Sequence, residues 1–123
     1  MKKILIVEDE LAYVKLLHDQ LVAKGYEVIT AKDGKEGLAL AQKEEPDMIL
    51  LDIRMPVMDG MTMLSLLRKN GNGKKAKVIM LTNLEPDDKI IGDVVKDQPA
   101  YYFIKSDVKL DDMLEKIHEL LEK

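Results

Sequence analysis

The chain has 123 residues, 46% hydrophobic and 34% charged, with a net charge of −4 and a pI near 5.2. That length makes one domain around a single core, expected over residues 1–123, and the acidic balance argues against direct nucleic-acid binding. The absence of cysteine excludes disulfides and thiolate metal sites. "MKKILIVEDE" is too short in apolar residues for a signal-peptide core, and no apolar run approaches the ~18 residues that span a bilayer, so the expectation is a cytoplasmic chain with no membrane contact.

"KKILIV" reads as a short, fully buried strand. "EDELAYVKLLHDQLVAKG" places Val14, Leu17 and Leu21 at helical spacing, with Gly25 as a stop. "EVITA" is a second strand. "DGKEGLALAQKEEPD" is a short helix with Asp33 as its N-cap and Pro46 beyond its end. "MILLD" is the third strand, and "GMTMLSLLRK" is a helix after the turn "IRMPVMD". "NGNGKKAK" is a polar loop. "VIMLT" is the fourth strand. "PDDKIIGDVVKD" is a helix with Pro86 near its first position and acids in its first turn. "YYFI" is the fifth strand. "LDDMLEKIHELLEK" carries Leu110, Met113, Leu114, Ile117 and Leu121 on one stripe of a terminal helix.

Five strands thus alternate with five helices, and the strands are continuously apolar rather than alternating. Both faces of the sheet are therefore covered, which predicts an α/β fold with a parallel sheet between two helical layers. In such sheets ligands bind beyond the carboxyl ends of the strands. In the flavodoxin-like order 2-1-3-4-5, the strand ends line up Glu8 and Asp9, then Asp52, then Thr82, then Lys105.

With strands ~4.8 Å apart, Asp9 and Asp52 come close enough to share a cation, and the Lys105 stem spans most of two strand spacings. Two carboxylates at 4 Å repel by ~4 kcal/mol at an effective dielectric near 20, so something must offset the crowding. A shared proton is one solution; Mg2+, which suits a few carboxylates, retained waters and a phosphate, is the other. Taken singly, Asp52 is a turn acid, Thr82 a strand-end hydroxyl and Lys105 a solvated lysine. Together they supply a nucleophile and one partner for each oxygen of a transferring phosphoryl group.

At these residues the chain resembles the receiver domains of two-component response regulators, the CheY-like family. The motifs occur in order along the whole chain: "ED" at Glu8–Asp9, "D-x-x-M-P-x-x-D-G" from Asp52 to Gly60, "VIMLT" ending at Thr82, and Tyr102 three residues before Lys105. The resemblance implies a flavodoxin-like (βα)5 sandwich and phosphorylation on Asp52. It implies Mg2+ held by Asp9, Asp52 and the Arg54 backbone carbonyl, with Glu8 acting through water. It implies a phosphohistidine donor on a sensor histidine kinase or phosphotransfer protein, or a small acyl phosphate. It also implies a switch, in which Thr82 moves toward the phosphate and Tyr102 turns inward, altering the helix 4–strand 5–helix 5 face. A downstream protein target, a fused output domain and a homodimer formed on phosphorylation are all consistent with that switch. The implied chemistry is limited to the domain's own phosphorylation and dephosphorylation.

Some positions depart from the family pattern. Asn83 replaces the usual alanine after the switch threonine, Ser106 follows Lys105 where proline is usual, and Gln98–Pro99 stands before the fifth strand. Arg54 and Leu84, two residues past Asp52 and Thr82, border the phosphate in the family; with Asn83 they are expected to tune its hydrolysis. A haloacid dehalogenase-type phosphatase would need a second acid where Arg54 stands, and a flavodoxin-like cofactor module would need a glycine- and hydroxyl-rich loop where "EDELAY" stands. A receiver-like interaction module that takes no phosphate is the alternative that Asn83 keeps open. His18 and His118 are read as surface residues.

Overall fold

The computed structural model describes residues 1–53, 57–69, 76–82, 101–105 and 108–122. Five parallel strands form one sheet in the order β2-β1-β3-β4-β5. They are β1 (Lys3–Val7), β2 (Glu27–Ala31), β3 (Met48–Asp52), β4 (Lys77–Thr82) and β5 (Tyr101–Ile104). The described helices are α1 (Leu11–Ala23), α2 (Gly34–Glu44), α3 (Gly60–Lys69) and a C-terminal helix (Leu110–Leu121). The predicted strand order is the observed one; the helix expected over 86–97 lies outside the described residues. No helix among the described residues is long and apolar enough to cross a membrane.

The inner strands β1, β3 and β4 are apolar along most of their length because alternate residues feed two separate cores. Ile4, Ile6, Met48, Leu50, Ile79 and Leu81 pack under Leu17 and Leu21 of α1 and Met113, Leu114, Ile117 and Leu121 of the C-terminal helix. Leu5, Val7, Ile49, Leu51, Val78 and Met80 pack under Ala41 of α2 and Met63, Leu64 and Leu67 of α3. Each fully buried side chain of this size contributes about 1.5–3 kcal/mol of transfer free energy. The phase of the alternation has a consequence at the sheet's carboxyl end. Glu8 and Asp52 continue the Ile4–Ile6 and Met48–Leu50 series, so both lie toward α1 and the C-terminal helix.

The helix ends follow the sequence signals. Asp33 caps α2, accepting from the Glu36 N–H at 2.8 Å. α1 stops at Gly25, whose φ of 95° lets Gly25 and Tyr26 N–H groups turn back to the Val22 and Leu21 carbonyls at 3.0 and 3.2 Å.

Candidate functional site

Parallel pairing sets the row of strand-end groups. Val7 is level with Leu51, Asp52 with Leu81, and Thr82 with Ile104. Glu8 extends β1 by one residue, donating its N–H to the Ala31 carbonyl at 3.0 Å. Glu8 is 1% exposed and Asp52 7%, both buried, while Asp9 next to them is exposed. Carboxylate oxygens of Glu8, Asp9 and Asp52 lie within 4.8 Å of one another.

Lys105 follows β5 and reaches back over this cluster. Its ammonium pairs with Glu8 Oε1 and stands 3.4 Å from Asp52 Oδ2. The other Glu8 oxygen accepts the Glu10 N–H at 3.1 Å. Burial holds the Lys105 ammonium below the usual lysine pKa. Three carboxylates against one ammonium leave the cluster short of positive charge. Its donors are hard oxygens, two of them buried and one open to water. That set fits a divalent cation that binds oxygen ligands and retains waters.

The turn after β3 is held by close backbone contacts. Asp59 caps α3 through the Thr62 N–H at 2.8 Å, and the Gly60 N–H donates to the Ile53 carbonyl at 2.8 Å. A Cβ on Gly60 would run into the Asp52 carbonyl oxygen, so glycine lets α3 begin directly against the strand that carries Asp52. The Gly34 N–H likewise donates to the Met58 carbonyl at 3.1 Å, tying the start of α2 to the same turn.

Of the residues singled out from the sequence, Glu8, Asp9, Asp52 and Lys105 come together. The Thr82 backbone ends β4 beside Ile104; its side chain lies outside the described part, as do Arg54, Asn83, Leu84, Gln98–Pro99 and Ser106. Tyr102 lies on the other face of β5, packed against the α2–α3 core. Its hydroxyl is buried without a hydrogen-bond partner among the described residues, and burial raises its pKa. His18 pairs with the adjacent Asp19, and the exposed His118 meets the Tyr26 hydroxyl, both remote from the cluster.

Sequence reasoning passed over Tyr13. Its ring lies under the Lys105 ammonium, 4.6 Å from ring centroid to nitrogen. Its hydroxyl pKa is pushed up to about 12, by burial first and then by the Asp52 and Glu10 charges. The signal was present: Tyr13 stands one turn before Leu17 and two before Leu21, on the stripe that faces the sheet.

The family model of the response regulator receiver domain matches residues 4–118. The chain is 42% identical over 92 residues to the alkaline phosphatase synthesis transcriptional regulatory protein PhoP of Bacillus subtilis, covering 74% of this chain and 38% of PhoP. It thus spans less than two-fifths of that relative's length. Among solved structures, a CheY-like response regulator receiver domain protein from Methanospirillum hungatei superposes with a TM-score of 0.90 at 34% identity, covering 99% of this chain and 94% of that one. The response regulator TrrA of Thermotoga maritima, solved in complex with Mg2+ and BeF, superposes at 0.82 with 34% identity over 98% of this chain and 99% of that one.

Proposed function

The chain belongs to the response regulator receiver domain family, and on that premise we propose that it accepts a phosphoryl group on Asp52 from a phosphohistidine donor. The observation that carries this reading is the Asp52 carboxylate at the end of β3, 3.4 Å from the Lys105 ammonium and clustered with Glu8 and Asp9. An Asp52 oxygen attacks phosphorus. The O–P bond forms as the donor's N–P bond breaks, and the electron pair returns to that ring nitrogen; the donor's other ring nitrogen carries a proton, so the imidazole leaves neutral. Water then cleaves the resulting acyl phosphate, releasing inorganic phosphate and restoring the carboxylate. The domain performs only this chemistry, on itself.

Lys105 neutralises charge on the transferring group and repositions from the carboxylate to a phosphoryl oxygen. Asp9 and Asp52 would hold Mg2+ directly, with the Arg54 carbonyl. Glu8 would act through water, because its two oxygens already accept from Lys105 and from the Glu10 N–H. Bound there, Mg2+ supplies the positive charge that the cluster lacks. Arg54, Asn83 and Leu84 set how readily water reaches the acyl phosphate. Thr82 and Tyr102 relay the change to the surface around β5 and the C-terminal helix; the buried Tyr102 hydroxyl, without a partner among the described residues, supports an inward ring. The donor is a sensor histidine kinase or phosphotransfer protein in the cytoplasm, and the receiver of the signal is a protein target or a fused output domain.

The test is incubation with Mg2+ and acetyl phosphate, followed by intact-mass analysis. The expected product is a single HPO3 adduct, dependent on Mg2+, stable in acid, labile in base and absent from Asp52→Asn. No adduct together with no spectral response to beryllofluoride would overturn the reading.

A further inference from the structure

The Lys105 ammonium has three N–H donors and is almost fully enclosed, its side chain 7% exposed. Glu8 and Asp52 take it from two directions. The third direction is closed by the face of the Tyr13 ring, at 4.6 Å. The ring is itself fixed from the far side, where its hydroxyl meets Met113 Sδ of the C-terminal helix at 3.9 Å. At neutral pH that hydroxyl stays protonated, so Tyr13 adds no charge to a cluster already rich in carboxylates.

We propose that Tyr13 is a positioning residue for phosphoryl transfer, its ring face holding the Lys105 ammonium within reach of Asp52. A lysine stem has many rotamers, and two carboxylates compete for this ammonium. During the reaction Lys105 must exchange a carboxylate for a phosphoryl oxygen. The ring is the partner that stays constant through the exchange, since it is uncharged and takes no part in the bond changes. It also replaces part of the hydration that the ammonium loses on burial. The role rests on the reading of Asp52 as acceptor, and it belongs to the ring face and not to the hydroxyl.

The test compares Tyr13→Phe, which keeps the ring, with Tyr13→Leu and Tyr13→Met, which remove it; either of the last two serves if the other fails to fold. With acetyl phosphate and Mg2+, loss of the ring is expected to slow adduct formation about three- to ten-fold, the size of a partly buried cation–π contact, while Tyr13→Phe stays within about two-fold of the native chain. In a Lys105→Met background, removing the ring should have no further effect on rate. Independently, the Lys105 ε-methylene protons should show an upfield ring-current shift in the native chain and in Tyr13→Phe that is lost in Tyr13→Leu.

Three outcomes would overturn the assignment: native rates without the ring, equal slowing by Tyr13→Phe, or undiminished slowing in the Lys105→Met background. If the native chain forms no adduct, the acceptor reading falls, and presence or absence of the ring-current shift still decides whether Tyr13 holds Lys105.

Discussion

Lys105 and Glu8 are ion-paired although they belong to β5 and β1, which have β3 and β4 between them. Three strand spacings of ~4.8 Å separate the two backbones, so the pair forms only because the lysine stem lies across the end of the sheet. Asp52 sits under that stem. Truncation as Lys105→Met leaves Glu8 and Asp52 buried without their ammonium. Removing one partner of a buried pair costs about 3–5 kcal/mol, so in chelator the variant should lose about 3 kcal/mol by urea unfolding. A loss below about 1 kcal/mol would mean that the enclosure seen around Lys105 opens freely to water.

The same crowding predicts a response to Mg2+. A ligand at a hundred times its Kd stabilises the native state by about 2.7 kcal/mol. Thermal unfolding with saturating Mg2+ should therefore shift upward relative to chelator. Asp9→Asn should remove most of that shift, because Asp9 is the exposed carboxylate of the three, open to the waters that a cation retains. Glu8→Gln should remove less of it, because the Glu8 oxygens already accept from Lys105 and the Glu10 N–H. Equal shifts in native chain and Asp9→Asn would place the metal elsewhere.

The parts of this site that were legible in the sequence are those fixed by the chain's own periodicity. Continuous apolar strands dictated a sheet covered on both faces, and the strand ends then named Glu8, Asp9, Asp52, Thr82 and Lys105. The difference in burial between Glu8 and Asp9 was not drawn from sequence, although the pleat contains it: Glu8 keeps the phase of Ile4 and Ile6 and is buried, whereas Asp9 leaves the strand. Tyr13 was legible as a stripe residue and illegible as a partner of Lys105. That contact joins residues 92 positions apart, and it depends on how far a flexible lysine folds back. Such long-range placement is set by tertiary packing, which propensity and spacing do not encode.

Gly60 provides a purely steric prediction. Its N–H meets the Ile53 carbonyl at 2.8 Å, and any Cβ would collide with the Asp52 carbonyl. Backbone cannot yield as a side chain does, so Gly60→Ala must push α3 away from β3. Overpacking of this kind costs about 1–3 kcal/mol, readable as a lower urea midpoint. Because the displaced backbone is that of Asp52, phosphorylation by acetyl phosphate should slow as well. Native stability in Gly60→Ala would show that the turn adjusts without disturbing the strand that carries Asp52.

Alkaline pH probes the environment of Tyr13 separately from any phosphoryl chemistry. Its phenol ionises at about 12 in the folded chain, against 10.0 for an ordinary tyrosine. Between those values the unfolded chain has released a proton that the folded chain keeps. Fewer protons are then bound in the unfolded state, so stability falls as pH rises through this window, and the contribution of Tyr13 is fully present only below pH 10. Tyr13→Phe cannot titrate, so its urea midpoint should fall less steeply over the same range. Phenolate absorbance should show the matching change, with the most alkaline step of the native chain missing from the variant. Tyr26 and Tyr102 are also shifted upward, but they remain in both proteins and cancel in the comparison. Parallel stability curves for the two proteins would mean that the Tyr13 hydroxyl is more open to water than its packing against Met113 allows.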